Sequence, residues 1–279
     1  MADPTIPFVF FNSVFDDAGV TLSASSEQAA FPVSNVTDWR MGTPYRWKSD
    51  VLTDDQEINF DAGAGNTTLP DTFAIAGHNF GTIGATVTLQ SDTDDIDPYT
   101  TVRGPVTVSD DLPLILTNSS STPTRYWRLR ILKDGGGSCA SKPEIGIYVL
   151  GDRLEFTGAG VEPGLDPWGV ESVVEDSRNE NGSPIGVNVK YRRKMFHFDY
   201  STAGIADSDF FNPASGLGFD DDFKPHAIDA GKPFFFNWNL SAQADENYLC
   251  WVRDIRMPFV GSTARRAFQA QFEGYRETA

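Results

Sequence analysis

The stretch "FAIAGHNFGTIGATVTLQSD", residues 73–92, decides the fold class. Two segments on either side of a Gly-His-Asn triplet alternate in side-chain character at the period of a half-buried strand. Phe73 and Ile75 share one face of the first segment, and Val87 and Leu89 share one face of the second. Glycine adopts positive φ freely and asparagine tolerates it, so the triplet suits a tight turn. The stretch therefore predicts two antiparallel strands joined by a turn.

The same alternation runs through the rest of the first half of the chain. Apolar residues recur at every second position in three further segments, and no stretch of ten residues has the helical period of 3.6. Short acidic or serine-rich segments separate the strands. The alternating residues are Ile58 and Phe60, then Trp127, Leu129 and Ile131, then Ile145, Ile147 and Val149. This half is predicted to be all-β.

The second half alternates as well, with a higher content of aromatic residues. Phe234, Phe236 and Trp238 are predicted to point inward, with Asn237 and Asn239 outward. Within residues 184–200 the apolar parity changes, which predicts a bulge or a strand break at Arg192, Arg193 and Lys194. Residues 201–227 are predicted to form a loop with at most one helical turn.

A segment rich in glycine and proline separates the two halves. We predict an N-terminal β-domain at residues 1–151, a linker or extended arm at 152–169, and a second antiparallel β-sandwich or barrel at 170–279. Domains of roughly 100–200 residues are usual, so two domains fit a chain of 279 residues.

Composition excludes several classes of function. The net charge of −17 repels phosphate backbones, so nucleic acid is not an expected partner. No apolar run reaches the roughly 18 residues of a membrane span, and the N-terminus has no features of a signal peptide. Cys139 and Cys250 are far apart in the sequence. They are predicted to be lone thiols of a protein that folds in a reducing compartment, with a single bridge as the alternative.

The order of the motifs in the first half resembles that of discoidin-like (coagulation factor 5/8 C-type) galactose-binding jelly rolls. In that family an Ala-Ser-Ser strand leads to an Asn-containing loop, then to a Trp-Ser element, a strand ending in Asp-x-Gly, and a strand ending in Gly-x-Asn. The matching residues are Ser25, Ser26, Asn35, Asp38, Trp47, Ser49, Asp61, Gly63, Gly77 and Asn79. The resemblance covers residues 8–151 and implies a jelly-roll β-sandwich with Trp47 in its core.

Parts of both halves resemble virion proteins of tailed phages. "AFPVSNVTDWR", "YRWKS" and "FAIAGHNFGTIGATVTL" are similar to jelly rolls of such proteins, and residues 232–277 resemble the C-terminal β-region of distal-tail and baseplate proteins. This resemblance implies a non-enzymatic structural protein that assembles as a ring or other symmetric homo-oligomer with other tail proteins. It also implies a location in the virion tail, after assembly in the bacterial host cytoplasm. The alternative is a carbohydrate-binding module that attaches to host surface glycans.

No pattern of catalytic residues emerges from the sequence. The chain has three histidines, and His78 lies far in sequence from His197 and His226, so neither a zinc site nor a serine or cysteine triad is expected. His78 is predicted to be a turn residue that hydrogen-bonds a nearby loop backbone. No cofactor is expected. With 39 acidic residues, the sequence singles out no catalytic pair of carboxylates.

Three groups of residues are candidates for binding. The first is a structural calcium site at Asn35 and Asp38, which the discoidin resemblance implies; the acidic segments 91–98 and 218–223 are further calcium candidates, although neither has EF-hand spacing. The second is an interface or glycan surface, with packing in the protein as the alternative for its two aromatic residues. The third is a basic trio that suits a salt-bridge patch between subunits, with a solvated bulge as the alternative. The residues of the second and third groups are Trp39, Arg40 and Tyr45, and Arg192, Arg193 and Lys194.

Overall fold

The computed structural model describes most of the chain. The described residues are 3–51, 55–118, 120, 122–133, 139–156, 170–178, 180–181, 184–199, 205–206, 217–256, 265–266 and 269–275. Almost all regular structure in these residues is antiparallel β, which confirms the predicted all-β class. Among the same residues, no helix has the length and apolar character that a membrane span requires.

The chain divides into two compact units. Unit 1 comprises Met1–Glu155, Phe235–Asn247 and Glu277–Ala279, and unit 2 comprises Phe156–Phe234 and Tyr248–Arg276. The predicted domain limits at 151 and 170 stay a prediction, and most of the predicted linker, residues 157–169, lies outside the described residues.

The strands of the first half are short, as the turn-rich sequence predicts. They are β1 (Phe8–Phe10), β2 (Thr21–Ala24), β3 (Trp47–Lys48), β4 (Gln56–Asp61), β5 (Thr72–Ala76), β6 (Ala85–Asp92), β7 (Thr100–Thr107), β8 (Leu114–Thr117), β9 (Tyr126–Lys133), β10 (Glu144–Ile145), β11 (Ile147–Gly151) and β12 (Arg153–Glu155). One helical turn, α1 (Phe80–Ile83), precedes β6, and 3-10 turns cover Val14–Asp16, Val33–Thr37 and Thr43–Tyr45.

Two sheets of unit 1 form a β-sandwich. A five-stranded sheet has the order β2-β4-β9-β6-β7, and a three-stranded sheet has the order β11-β5-β8. Their facing side chains make one apolar core, because alternate residues of each strand point to the same side. Core residues from the two sheets include Ile58, Phe60, Val87, Leu89, Trp127, Leu129 and Ile131 from the first, and Phe73, Ile75, Leu116, Tyr148 and Leu150 from the second. Trp47 is also fully buried in this core, as predicted.

The predicted face of the last jelly-roll strand is wrong beyond Ile145. Ile145 joins the core as expected, but Tyr148 and Leu150 follow it there instead of Ile147 and Val149. The change of parity occurs at Gly146, whose backbone N–H lies 3.1 Å from the carbonyl oxygens of both Ala76 and Gly77. An inserted residue of this kind shifts every later side chain to the other face.

The Gly-His-Asn connection is longer than the predicted tight turn. Gly77 has φ +65°, but Asn79 stays at negative φ, and α1 follows it before β6 begins. The helical turn places Phe80 and Ile83 in the core, and it ends at Gly84, which has the left-handed conformation typical of helix C-termini. Gly81 lies against a neighbouring loop, because a Cβ there would be 2.3 Å from the Asp110 backbone.

The C-terminal half contains the remaining strands of the described residues. They are β13 (Val170–Arg178), β14 (Pro184–Asp199), β15 (Ile205–Ala206), β16 (Phe234–Asn237), β17 (Tyr248–Arg256), β18 (Arg265–Arg266) and β19 (Gln269–Tyr275). Within unit 2 the strands β17, β19, β14 and β13 lie side by side in that order, all antiparallel. Within unit 1, β1 pairs with β12 on one side and with Phe235–Asn237 of β16 on the other.

The predicted bulge in β14 exists, but two residues earlier than expected. Val173 pairs with Tyr191 and Val174 pairs with Val189, so Lys190 is the extra residue. The strand continues through Arg192 to Asp199, which excludes a strand break.

Residues 219–229 form helix α2 (Phe219–Asp229), which is longer than the single helical turn predicted within residues 201–227. Its hydrogen bonds span five residues, as in the bond from the Phe223 N–H to the Gly218 carbonyl, so the helix is of the rare π type. Its apolar side packs on strand residues of the same unit. Phe223 contacts Phe234 edge-on at 4.9 Å between ring centroids, and Phe234 contacts Phe272 at 4.9 Å.

The prediction that Asn237 points outward is wrong. Its side chain is fully buried, and its Nδ2 lies within 2.9–3.1 Å of the Gln243 carbonyl, the Glu246 carbonyl and Asn247 Oδ1. Its Oδ1 accepts a hydrogen bond from the Asn239 N–H. An amide can be buried at little cost when such partners satisfy it. The side chain therefore organises the loop that follows β16.

Cys139 and Cys250 do not form a disulfide bond with each other. Cys139 is partly buried against the unit 1 core, and Cys250 is fully buried in unit 2. Burial raises the pKa of the Cys250 thiol well above its usual range.

We predict that Gly81→Ala lowers the free energy of unfolding by about 2–3 kcal/mol, because the added Cβ collides with backbone, which cannot rotate away. Gly186→Ala is the control, since a Cβ at that exposed position meets no atom within 4 Å. Urea unfolding followed by tryptophan fluorescence measures both. A Gly81→Ala protein within about 0.5 kcal/mol of wild type would contradict the close packing of these loops.

Candidate functional site

Four segments meet at one end of the sandwich. They are residues 25–46, 77–84, 108–113 and 139–143, which we call the loop cluster. The strand register brings them together, because the end of β5 at Ala76 pairs with the start of β11 and the start of β6 pairs with the end of β9. The loop cluster contains every glycan or calcium candidate predicted between Asn35 and Tyr45.

His78 is a structural residue of the loop cluster, as predicted. The side chain is only 2% exposed, and its Nε2 lies 2.7 Å from the Leu112 carbonyl oxygen. Its Nδ1 accepts a hydrogen bond from the Phe80 N–H at 3.3 Å, so the ring proton is on Nε2. Burial lowers the pKa of His78 to about 4, against the hydrogen bond to Leu112 and the charges of Asp111 and Asp110, which raise it. The imidazole is therefore neutral and bonded at both nitrogens.

Residues next to His78 tie the same connection to two other loops. Asn79 donates from Nδ2 to the Lys142 carbonyl (2.9 Å) and accepts at Oδ1 from the Glu144 N–H (3.0 Å). The Thr82 N–H donates to Asp111 Oδ1 at 3.0 Å, and the Thr82 hydroxyl donates to Asp111 Oδ2 at 2.5 Å. The segment that identifies the fold thus holds the loop cluster in a fixed arrangement.

Met41 marks the place where the loop 25–46 packs on this arrangement. A Cβ at Gly146 would be 3.1 Å from the Met41 Cα, and a Cβ at Gly77 would be 3.4 Å from the Met41 Cβ. The Nε of Arg46 donates to the Met41 carbonyl at 2.9 Å, and the Nδ2 of Asn35 donates to the Arg46 carbonyl at 3.1 Å. The loop is therefore held by backbone packing and by two side-chain hydrogen bonds.

The calcium candidates Asn35 and Asp38 both have protein partners. Asn35 Nδ2 bonds the Arg46 carbonyl, and the Asp38 carboxylate accepts from Arg40. Among the described residues no group of three or more histidine, cysteine, aspartate or glutamate side chains is placed to hold a metal ion. Calcium binding at Asn35 and Asp38 stays a prediction. The Asp38 carboxylate, which would bind the ion, is paired with the Arg40 guanidinium.

The acidic segments 91–98 and 218–223 also have structural partners. In the first, Asp92 accepts from the Ile96 N–H, Asp95 from the Tyr99 hydroxyl, and Asp97 pairs with Arg128 at 2.9 Å. In the second, Asp222 Oδ2 accepts from the Gly218 N–H at the start of α2. These carboxylates close a loop and begin a helix.

Of the three candidates in the loop 25–46, Arg40 and Tyr45 are exposed beside each other, whereas Trp39 is buried. Trp39 has φ +62°, which is unusual for a bulky side chain, and the residue is buried. Arg40 and Tyr45 are exposed, and the Arg40 guanidinium carbon lies 3.9 Å from the centre of the Tyr45 ring. The sequence did not distinguish between an interface role and a packing role for Trp39 and Tyr45. The structure buries Trp39 and exposes Tyr45.

Arg40 is oriented on its other side by Asp38. Its Nε and Nη2 donate to Asp38 Oδ2 at 2.9 and 2.5 Å, and its backbone N–H donates to Asp38 Oδ1 at 3.0 Å. The left-handed Trp39 between them reverses the chain, which lets residues two apart meet in this way. The hydrogen bond to Asp38 raises the pKa of Arg40, so the guanidinium is charged throughout the physiological range.

Arg46, Lys48 and Glu144 form an ion cluster that the sequence analysis missed. Lys48 Nζ lies 2.8 Å and Arg46 Nη1 lies 3.6 Å from the Glu144 carboxylate, and Lys48 also lies 4.7 Å from the centre of the Phe31 ring. The signal available in the sequence was "YRWK", in which aromatic and basic residues alternate. Because Glu144 is 96 residues away from Lys48, only the pairing of β3 with β10 reveals the cluster.

The basic trio in β14 lies in unit 2, apart from the loop cluster in sequence. Arg193 Nη1 lies 3.0 Å from Glu273 Oε2, which also accepts from Arg253. Burial alone would raise the pKa of Glu273, but the hydrogen bond and charge of Arg253 and the charge of Arg193 lower it. Lys194 Nζ lies 5.7 Å from the centre of the Tyr248 ring. The side chain of Arg192 lies outside the described residues, and the subunit salt-bridge role stays a prediction.

We predict that His78 makes the protein less stable in acid. Its pKa is about 4 when folded and about 6.5 in the unfolded chain, so between these values only the unfolded chain is protonated. The contribution is complete above pH 6.5 and is lost as pH falls, by about 3 kcal/mol at pH 4. His78→Gln removes this titration.

The measurement is the difference in unfolding free energy between wild type and His78→Gln from pH 7 to pH 4. Burial raises the pKa of Asp71 to about 6, which gives wild type an opposite slope, but both proteins share it and it cancels in the difference. A difference that does not change with pH would show that His78 is protonated in the folded protein.

Comparison with known proteins yields similar folds without a family assignment. No family model and no curated protein matches this chain. Among solved structures, the chain is similar to the family 32 carbohydrate-binding module of Clostridium perfringens NanJ in complex with galactose: 15% identity, TM-score 0.39, 52% of this chain and 98% of that one.

Two further similar structures are modules of the same type. One is a Clostridium perfringens module in complex with GalNAc-β-1,3-galactose, at 15% identity and TM-score 0.39, which covers 47% of this chain and 94% of its own. The other is the module of AlyQ in complex with 4,5-unsaturated mannuronic acid, at 18% identity and TM-score 0.36, covering 50% and 96%. Identities and TM-scores of this size identify neither a family nor a ligand for this chain.

Proposed function

We propose that this protein binds glycans through the loop cluster. The observation that carries the proposal is the exposed Tyr45 ring with the charged Arg40 guanidinium fixed against it. A sugar ring has apolar C–H faces and a rim of hydroxyls. An exposed aromatic ring beside oriented hydrogen-bond donors complements both parts, as in other sites where apolar contact and a few polar groups fix a ligand.

The polar groups around Tyr45 suit hydroxyl recognition. Arg40 supplies donors and Asp38 supplies acceptors within one ion pair, so adjacent hydroxyls of a sugar find both kinds of partner. One face of the Tyr45 ring is covered by Arg40, and the sugar would therefore stack on the exposed remainder of the ring.

The loop is ordered before any ligand binds. Asn35, Arg46 and the contact of Met41 with Gly146 hold its backbone, and Trp39 keeps a left-handed conformation that costs about 1–2 kcal/mol for a residue with a Cβ. Backbone strain of this kind tends to occur at functional sites. A loop that is already fixed loses less entropy when a ligand binds.

The structure favours binding over acid–base catalysis in the loop cluster. His78 is buried, neutral and bonded at both nitrogens, so it has no proton to exchange with a ligand on the surface. The Asp38 carboxylate is paired with Arg40.

Assembly into a phage tail or baseplate, with other tail proteins as partners and the virion as location, stays a prediction of the sequence. It is compatible with glycan binding, because a ring subunit can carry a binding module. Size-exclusion chromatography with light scattering tests the assembly separately: a stable monomer would contradict the ring, whatever the outcome of the glycan measurements.

We predict that Tyr45→Ala weakens glycan affinity about tenfold with little change in thermal stability, because the exposed ring supplies stacking and apolar contact to the ligand, and its contact with the exposed Arg40 contributes little to stability. A glycan array identifies the tightest ligand, and calorimetry compares the variants on it. Tyr275→Ala in unit 2 is the matched control, since Tyr275 is 39% exposed and Tyr45 is 42% exposed. Silence of the wild-type protein on the array, or equal losses in the two variants, would contradict the proposal.

A further inference from the structure

We propose that the loop cluster selects glycans that carry a carboxylate, and that Arg40 is the residue that binds it. This inference rests on the proposed function and adds the class of sugar. Its starting point is the state of the Arg40 guanidinium, which is anchored along one edge while the side chain remains 56% exposed.

The anchored edge is the one formed by Nε and Nη2. Both nitrogens donate to the same oxygen, Asp38 Oδ2, at 2.9 and 2.5 Å. A guanidinium has five N–H donors in a rigid plane, and the edge formed by Nη1 and Nη2 is the second one able to take two oxygens side by side. Among the described residues, Asp38 is the one carboxylate that pairs with Arg40, and it does not reach Nη1.

Tyr45 and Asp38 together orient this second edge. The guanidinium carbon lies 3.9 Å from the centre of the Tyr45 ring, and Nε and Nη2 donate to Asp38. An arginine held in this way loses little rotamer entropy when it accepts a ligand, and its planar fork matches the two coplanar oxygens of a carboxylate better than single hydroxyls. The same edge that would bind a neutral sugar weakly would therefore bind a uronate strongly.

Other charged residues of the loop cluster and of the adjoining strand β3 have partners of their own. Arg46 and Lys48 both pair with the carboxylate of Glu144. The other carboxylate of the loop, Glu27, accepts a hydrogen bond from the Val33 N–H at 2.7 Å. The net charge of −17 belongs to the whole chain, and charges farther away than about 8 Å are largely screened at physiological salt. The net charge of the whole chain therefore does not exclude an anionic ligand at Arg40.

The test compares trimers of galacturonate, glucuronate and mannuronate with their carboxyl-reduced counterparts by calorimetry. We expect at least one uronate to bind about tenfold more tightly than its reduced form at 0.05 M NaCl, because a charge-assisted bidentate pair replaces neutral hydrogen bonds. The preference should shrink at 0.5 M NaCl. Sulfated trimers form a third arm: tighter binding of sulfate than of uronate would overturn the assignment of a carboxylate.

Arg40→Gln should abolish the preference: the uronate and the reduced sugar should bind this variant with equal affinity, and both should bind more weakly than to wild type, because Arg40 also donates to neutral hydroxyls. Arg40→Lys keeps the charge but lacks the planar fork, so it should recover only part of the preference. Arg253→Gln is the matched control, because Arg253 is also an exposed arginine, 51% exposed, in an ion pair with a carboxylate. Thermal unfolding confirms that the variants are folded, and exposed ion pairs of this kind contribute little stability.

The outcomes separate this inference from the proposed function. If uronate and reduced sugar bind equally, and Tyr45→Ala weakens both, the glycan surface stands and the carboxylate preference is wrong. If no trimer binds and the glycan array is also silent, the proposed function itself fails. A uronate preference that survives Arg40→Gln would place the carboxylate on another residue and overturn the role of Arg40.

Discussion

The close approach of four backbone segments at one end of the sandwich is the constraint on which the candidate site depends. Gly81 lies against the Asp110 backbone, and Gly146 lies against Met41, at distances that leave no room for a side chain. His78 completes this packing by bridging the backbone at Leu112 and Phe80. Because backbone in van der Waals contact cannot relax as a side chain can, the loops that carry Arg40 and Tyr45 have a defined position relative to the sheets.

The electrostatics of the molecule are local. A chain with net charge −17 has a surface dominated by carboxylates, yet many of its acidic side chains serve in structural pairs, such as Asp97 with Arg128 and Glu273 with Arg193. Net charge therefore says little about any one surface. In the loop cluster, Arg40 pairs with Asp38 along one edge of its guanidinium, and this local arrangement is the basis of the proposed preference for a carboxylate.

The alternation of apolar and polar residues predicted the buried face correctly in regular strands, and it predicted the wrong face where one residue is inserted. Ile58, Phe60, Trp127 and Leu129 face the core as their parity predicts. Gly146 inserts a residue between β10 and β11, and the parity of the following strand is inverted. The prediction for Asn237 was wrong for a different reason. A polar side chain is expected to be exposed only if it has no hydrogen-bond partners inside the protein, and the loop after β16 supplies partners for this amide.

By itself, the sequence determined the all-β class and the structural role of His78, because these depend on local period and on residues that follow one another in the chain. The resemblance of its motifs to discoidin-like jelly rolls predicted the β-sandwich of the first half and the core position of Trp47. It also named Arg40 and Tyr45 as candidates. Only the tertiary structure decided that Trp39 is buried, that Tyr45 is exposed with Arg40 against one face of its ring, and that Glu144 forms ion pairs with Arg46 and Lys48. The physical reason is that burial and ion pairing depend on contacts between residues far apart in the chain, which strand pairing and loop packing create.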